Sequence, residues 1–278
     1  MKKGLIISLL SLCLMAAALY VGYSAWATGE DKQTLLIAGS STVDPYTAVL
    51  AEEYKKKHPN VIVNHTGGGS TPGLLALKKG AIDLATMSRD LKWTEEDEYT
   101  KQYLIGKNGV AIVVNQANAL TDISSDHIYQ ILTGAITNWS AIGGKNEEIK
   151  VMGRVKTSTT RIMVEDLVMK GAPYTAAMQI FQTAEELRKA IEDTPNAIGI
   201  LGLQDVNDSI KKLKVGGIEM TPTTILTSRY PLTRSFYYVL YSEPGMEAFE
   251  KTKLDFLDFV RSEQGQAIIE KRGGVRVY

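Results

Sequence analysis

Three short stretches of the chain gather small hydroxyl side chains where a strand is expected to end and a helix to begin. They are AGSSTVDP at 38–45, TGGGSTPG at 66–73 and GRVKTSTTR at 153–161, called here the first, second and third turns. A helix N-terminus offers unpaired backbone N–H groups and a partial positive charge, and hydroxyls add donors without adding bulk. The pattern therefore predicts one anion site that the three turns share.

Ordinary helix capping is the competing interpretation, because Ser and Thr are common N-cap residues. A cap uses one hydroxyl, whereas each turn supplies at least two. They are Ser40, Ser41 and Thr42 in the first turn, Ser70 and Thr71 in the second, and Thr157, Ser158, Thr159 and Thr160 in the third. This excess favours a ligand.

Arginines near these turns could supply the cation that an anion needs. Arg154 lies at the expected carboxyl end of a strand, where open α/β sheets bind ligands, and its planar fork matches a tetrahedral oxyanion. Arg89, in MSRD after another strand, is either a second cationic donor or a partner for Asp90 or another surface acid, and both interpretations stay open. We expect Arg161 to be an exposed helix residue.

Other kinds of site are poorly supported. Pro72 occupies the position where a nucleophile elbow needs its second glycine, and neither a P-loop nor a dinucleotide-binding glycine pattern occurs. The three histidines are not spaced as metal ligands. Lys plus Arg and Asp plus Glu are each 31, so no positive field attracts nucleic acid. We expect no metal, no cofactor, no nucleic-acid partner and no enzyme activity.

The N-terminus has the pattern of an export signal. Lys2 and Lys3 precede the uncharged apolar run 4–23, and the small-x-small site Ala25-Trp26-Ala27 follows. We expect residues 1–27 to be a cleaved signal peptide and the mature chain to be periplasmic or extracytoplasmic. Because the apolar run is nearly long enough to span a bilayer, an uncleaved anchor is the alternative. The single cysteine, Cys13, lies in this segment, so the mature chain has no disulfide.

Apolar runs alternate with helical patterns along the first part of the chain, which predicts a parallel-rich α/β sheet. The expected strands are TLLIAG, VIVNHT, AIDLATMS and NGVAIVVN. From Asn118 the chain becomes more polar, with the helical stretch TDISSDHIYQILTG and the strand IKVMGR, so a second lobe is expected there. The last part, residues 245–274, is strongly helical, with a Leu and Phe stripe that we expect to be core.

In serial order, these motifs resemble those of the periplasmic phosphate-binding proteins that feed bacterial ABC phosphate importers. The matching stretches are IAGSSTVDPY, GGGSTPG, AIDLATMSRDLK, LTGAITNWSAIGG, RVKTSTTR, AIGI and YPLTRSFYYV. The resemblance implies a two-lobe, type II periplasmic binding protein fold of the α/β class, with mixed sheets, flanking helices and two hinge strands. It also implies inorganic phosphate and an ABC transporter permease as partners, and we expect a monomer.

The resemblance also implies where the lobes and the ligand contacts lie. Lobe one is expected at 33–115 and 236–278 and lobe two at 118–230, with the hinge near Val114-Asn115 and Tyr230–Ser235. The implied ligand contacts are Ser41, Thr42, the Val43 backbone N–H, Ser70, Arg154, Ser158, Thr159 and Thr160, to which Arg89 is added as a candidate from the residues alone.

Two departures from the family pattern leave the ligand's identity open. Thr159 stands where the motif R-x-x-x-S-G-T has glycine, so a β-branched side chain lies where the backbone should approach an oxygen. Arg89 stands where some members have an aspartate that accepts a proton from phosphate, although others have arginine there. Another oxyanion, an anion-sensing receptor role, or a phosphate-ester hydrolase on the same scaffold are the alternatives.

Overall fold

The computed structural model describes residues 33–242 and 250–278. The expected signal peptide, 1–27, lies outside the described residues. Within those residues, none of the helices combines the length and the apolar character needed to cross a membrane.

Eleven strands and eight α-helices lie in the described part of the chain. The strands are β1 (Gln33–Gly39), β2 (Val61–Gly67), β3 (Leu84–Met87), β4 (Thr100–Asn115), β5 (Asp122–Ile123), β6 (Lys150–Arg154), β7 (Gln179–Phe181), β8 (Ala197–Gly202), β9 (Ile210–Lys212), β10 (Lys214–Val215) and β11 (Thr233–Tyr241). The helices are α1 (Asp44–Lys57), α2 (Ser70–Lys78), α3 (Ser125–Thr133), α4 (Thr159–Val164), α5 (Ala184–Asp193), α6 (Pro222–Leu226), α7 (Glu250–Arg261) and α8 (Glu263–Lys271). A π-helical segment, Glu165–Met169, continues α4, and two 3₁₀ turns lie at Trp139–Ile142 and Leu203–Asp205.

Nine of these strands form one mixed sheet in the order β2-β1-β3-β11-β4-β8-β6-β7, with β9 also paired to β4. β1 runs parallel to both β2 and β3, and β6 runs parallel to both β7 and β8. β11 is antiparallel to β3 and β4, and β4 is antiparallel to β8. This arrangement of a mixed sheet with flanking helices confirms the predicted fold class.

The long strand β4 contributes to two of the three hydrophobic cores among the described residues. Residues 100–109 pair with β11, whereas 110–114 pair with β8. One core is built from residues of 110–232 with Val275, and two others pack against α1 and α2 on the two faces of the β1-β3-β11 region. The change of partner lies at Gly109–Val110, earlier than the expected crossing at Val114-Asn115. The residue limits given above for the lobes remain a prediction.

Helix α1 illustrates how the sequence specifies its elements. Pro45 lies in the first turn, where its missing N–H costs nothing, and three lysines in the last turn suit the negative end of the helix dipole. Tyr46, Leu50 and Tyr54 recur every four residues and are buried against the sheet. The basic run 55–57 is therefore a helix end rather than a binding patch.

Gly39 at the end of β1 fixes the start of the first turn. Its φ is +146°, and a Cβ there would overlap the carbonyl oxygen of Thr86 in β3. The backbone N–H of Ser40 donates to that same oxygen at 2.9 Å. Only glycine allows this approach of two backbones.

We expect Gly39→Ala to lower the free energy of unfolding by about 2–4 kcal/mol, because the added methyl group must push β1 away from β3. Gly68→Ala is the matched control, since a Cβ at Gly68 meets nothing within 4 Å. Urea unfolding of both variants measures the difference. Equal stability of the two would contradict the packing described here.

Candidate functional site

Within the first turn, the backbone is bonded to itself. The N–H groups of Val43 and Asp44 both donate to the carbonyl oxygen of Ser40, at 3.1 and 3.0 Å. The Val43 N–H, expected to be a ligand donor, is thus already paired. Thr42 is buried and Ser41 is exposed. The first turn therefore offers two side-chain hydroxyls rather than a row of free amides.

Backbone contacts tie the second turn to the first. The N–H of Gly69 donates to the carbonyl oxygen of Gly39 at 2.7 Å, and Gly73 packs against Gly39 so closely that a Cβ would not fit. The Ser70 hydroxyl accepts from the Ser88 backbone N–H at 3.3 Å, which connects α2 to the end of β3. The ends of β1, β2 and β3 thus form one rigid edge.

The third turn leads from β6 into α4. Ser158 is the N-cap residue, and its carbonyl oxygen accepts from the Ile162 N–H at 2.9 Å. The Ser158 side chain is 9% exposed and makes no capping hydrogen bond. Its hydroxyl is therefore not consumed by the helix that it begins.

Capping separates these three helix starts from the others. The N-cap residues of α1, α2 and α4 are Val43, Gly69 and Ser158, and none of them makes a side-chain capping hydrogen bond. The side chains of Ser124, Thr183, Thr221 and Ser262 do cap α3, α5, α6 and α8. None of the turn hydroxyls therefore acts as an N-cap, although the Ser40 hydroxyl accepts from the Thr42 N–H at 3.2 Å.

Two of the cavities that border the turns contain most of the predicted residues. The Ser70 cavity, of about 740 Å³, is lined by residues that include Ser70, Thr71, Ser88, Arg89, Asp166 and Arg234. The Arg154 cavity, of about 470 Å³, is lined by residues that include Pro45, Tyr46, Arg154, Thr157, Ser158, Thr159, Thr160, Asp205, Lys271 and Arg272. The structure thus places the predicted residues of the second and third turns in different cavities. The first turn borders both cavities. Its Thr42 hydroxyl contacts Arg234, which lines the Ser70 cavity. The residues that follow, Pro45 and Tyr46, line the Arg154 cavity.

Arg154 keeps much of its charge available. Its Nη2 donates to the Gln182 carbonyl oxygen at 2.9 Å, while its buried Nε has no partner among the described residues. In the described part of the chain, Arg154 forms no ion pair within 4 Å. Burial raises the pKa of the Asp205 carboxyl, and the nearby Arg154 charge opposes that rise. With Lys271 and Arg272, three cations face one carboxylate, Asp205, in the Arg154 cavity.

Arg89 is in a different state. Its two terminal nitrogens bind both carboxylate oxygens of Glu95, Nη1 to Oε2 at 2.7 Å and Nη2 to Oε1 at 2.8 Å. Nη1 also donates to the Asp90 carbonyl oxygen and Nη2 to the Thr71 hydroxyl. Of the two interpretations of Arg89, the structure shows the acid partner, and that partner is Glu95 rather than the Asp90 carboxylate.

Two arginines differ from what the sequence suggested. Arg161 was expected to be exposed, but its side chain is 9% exposed, pairs with Glu165 at 2.9 Å and lies over the Tyr174 ring at 4.8 Å. Arg234, which the sequence motifs do not indicate, lines the Ser70 cavity, and its Nη1 lies 3.4 Å from the Thr42 hydroxyl. A signal existed, because Arg234 shares the buried phase of β11 with Phe236 and Tyr238.

No group of three or more His, Cys, Asp or Glu side chains that could hold a metal ion occurs in the part of the chain that the structure describes.

Comparisons with known proteins find relatives that are binding proteins. Residues 25–264 match the family model described as the PBP superfamily domain. The phosphate-binding protein PstS of Bacillus subtilis is 27% identical, over 100% of this chain and 95% of that protein. An ABC-type phosphate transport receptor from Vibrio cholerae is 30% identical with a TM-score of 0.75, and the match covers 87% of this chain and 99% of the receptor.

A further solved structure contains bound phosphate. It is a putative phosphate ABC transporter substrate-binding protein from Clostridium perfringens with bound phosphate, 32% identical with a TM-score of 0.62. The match covers 88% of this chain and 100% of that one. All three relatives are binding proteins or receptors by name.

The Arg89–Glu95 pair yields a pH prediction. Hydrogen bonds from Arg89 lower the pKa of the Glu95 carboxyl from 4.5 to about 2, against the opposing effect of burial. Because the folded-state pKa is depressed, the stabilisation is complete above pH 4.5 and is lost as the pH falls towards 2. We expect Glu95→Gln to destabilise the chain at pH 7 and to do so less at pH 3, as measured by urea unfolding.

Glu96→Gln is the control, since Glu96 is the exposed neighbour of Glu95. A loss of stability in Glu95→Gln that is the same at both pH values would contradict the ion pair as its cause.

Proposed function

Because the chain belongs to the PBP superfamily, as a member similar to the PstS proteins, we propose that it captures inorganic phosphate between its lobes and delivers it to an ABC importer. The names of its relatives confirm the prediction of a solute-binding protein rather than an enzyme. The names of those relatives give phosphate as what they bind or transport, and we extend this ligand to the present chain.

The absence of side-chain caps at α1, α2 and α4 is the observation that carries the proposal. Each of these helices begins at a turn rich in hydroxyls, yet none of those hydroxyls is used as a cap. An oxyanion would accept hydrogen bonds from hydroxyl and N–H donors at such helix starts. By contrast, α5 and α8 each start with one Ser or Thr, and that residue is the cap.

Charge supports the same interpretation. Arg154 lies at the end of β6, free of ion pairs among the described residues, beside Ser158 and Thr160. A phosphate dianion would satisfy its unused donors and offset the surplus of cations in the Arg154 cavity. No reaction on the ligand is needed, and no general base is assigned to these hydroxyls.

We assign the ligand contacts to residues of all three turns. They are Ser41 and Thr42, Ser70, and Arg154, Ser158, Thr159 and Thr160. The Val43 N–H would take part only after release from Ser40. Arg89, expected as a further contact, acts in this proposal through Thr71, which it holds at the wall of the Ser70 cavity while Glu95 balances its charge.

Closure would bring the parts of this site together. We propose that β4 and β11 act as the hinge strands, crossing near Gly109–Val110 and near Leu232, where the Val110 N–H donates to the Leu232 carbonyl oxygen at 3.1 Å. The lobes would then be about 33–109 with 233–278, and 110–232. Closing them moves the third turn towards the first and second and excludes water, which strengthens hydrogen bonds to the anion.

The location and partners follow from the same role. We propose that residues 1–27 are a signal peptide cleaved on export, that the chain works outside the cytoplasm as a monomer, and that its partner is the permease of an ABC importer. Thr159 adds a methyl group and a hydroxyl where the family motif has glycine, so the calorimetric test of Arg154 includes a sulfate arm.

Arg154→Ala should weaken phosphate binding by about 2–5 kcal/mol, because a desolvated anion loses its charged partner. Isothermal titration calorimetry with phosphate, and separately with sulfate, measures the change. Arg188→Ala is the matched control, since Arg188, on α5, donates to the Ser209 hydroxyl and does not line either cavity. An Arg154→Ala variant that binds phosphate like the wild type would remove Arg154 from the site, and a wild type that binds sulfate but not phosphate would overturn the assigned ligand.

A further inference from the structure

Arg234 is a buried cation beside the proposed ligand contacts. It lies on β11 with its side chain 9% exposed. Its Nη1 donates to the Asp166 carboxylate at 2.9 Å and lies 3.4 Å from the hydroxyls of both Thr42 and Ser88. Among the described residues, every hydrogen bond of this guanidinium starts from Nη1, so Nε and Nη2 make none. An anion held by the Thr42 hydroxyl would therefore lie close to a guanidinium with unused donors.

Asp166 reaches Arg234 from a different part of the chain. It belongs to the π-helical segment 165–169 after α4, whose buried residues belong to the core built from 110–232. The ion pair thus joins the π-helical segment that follows the third turn to strand β11, whose Arg234 contacts the first turn. The Asp166 side chain is 55% exposed, in contrast to Arg234. π-helical turns of this kind are frequent at functional sites.

The asymmetry in burial decides which partner can leave. A buried guanidinium needs a negative partner, because an unpaired charge is costly away from water. A carboxylate that is more than half exposed can return to water at little cost. Phosphate brings more charge than a carboxylate and more acceptor oxygens, and it matches the arginine fork equally well. Exchange of Asp166 for phosphate at Arg234 is therefore favourable.

We propose that Arg234 is a further anion-binding residue and that Asp166 is its internal counterion, which phosphate displaces as it binds beside Thr42. This inference rests on the proposed function. It assigns Asp166 the role of a competitor: the carboxylate keeps Arg234 neutralised in the empty cleft and lowers the apparent affinity for the ligand.

The test is calorimetric titration of the purified chain with inorganic phosphate, using Asp166→Asn, Arg234→Gln and the double variant. Removing the competitor should tighten binding about fivefold, the scale of an exposed ion pair. Removing the arginine should weaken binding by more than about tenfold. In the Arg234→Gln background, Asp166→Asn should bring no gain, because its effect acts through Arg234.

Asp193→Asn is the matched control. Asp193 is 62% exposed and pairs with Lys189 at 3.2 Å, so the variant removes the same charge from a similarly exposed carboxylate outside the two cavities. Its phosphate affinity should stay at the wild-type value. Thermal unfolding without phosphate establishes whether each variant folds. If Arg234→Gln does not fold, the phosphate affinity of Asp166→Asn compared with that of Asp193→Asn decides the test.

The outcomes separate the two proposals. A wild type that binds no phosphate overturns the proposed function and this inference with it. A wild type that binds phosphate, together with an Asp166→Asn variant that binds equally or more weakly, overturns the inference alone. A gain in Asp166→Asn that persists without Arg234 would also overturn it, because the aspartate would then act by general charge repulsion.

Discussion

The structure depends on the close approach of backbones where β1, α2 and β3 meet. Gly39 packs against Thr86, Gly73 packs against Gly39, and the Gly69 N–H donates to the Gly39 carbonyl oxygen. Side chains at these positions would force the strands apart. These backbone contacts position the first and second turns, and the hydroxyls of Ser40, Ser70 and Thr71 add hydrogen bonds within the same edge.

The arginines near the turns show three electrostatic states that sequence alone could not distinguish. Arg89 is neutralised by two bonds to Glu95, Arg234 is paired to a half-exposed aspartate, and Arg154 has no ion pair among the described residues. In the proposed site, Arg89 keeps its partner and supports the wall of the Ser70 cavity. Arg234 can exchange its aspartate for the anion, and Arg154, without an ion pair, attracts the anion. The proposed site uses all three.

Local patterns in the sequence predicted much of the fold and where the turn hydroxyls lie along the chain. The turn hydroxyls and the helix α1 followed from spacing and composition, because capping, dipoles and periodicity act over a few residues. The first half of β4 was missed, since TKQYLIGK is polar and half-buried rather than continuously apolar. The Glu95 partner of Arg89 and the Asp166 partner of Arg234 depend on folded geometry, as does the division of the turns between two cavities.

The most direct test of the central claim is a crystal structure of the chain grown with phosphate. We expect one phosphate ion to lie within hydrogen-bond distance, about 2.7–3.2 Å, of hydroxyls from all three turns and of the Arg154 guanidinium. The turns would then belong to a single site that closure assembles from the two cavities. A phosphate bound to only one turn, or bound away from all of them, would contradict this account.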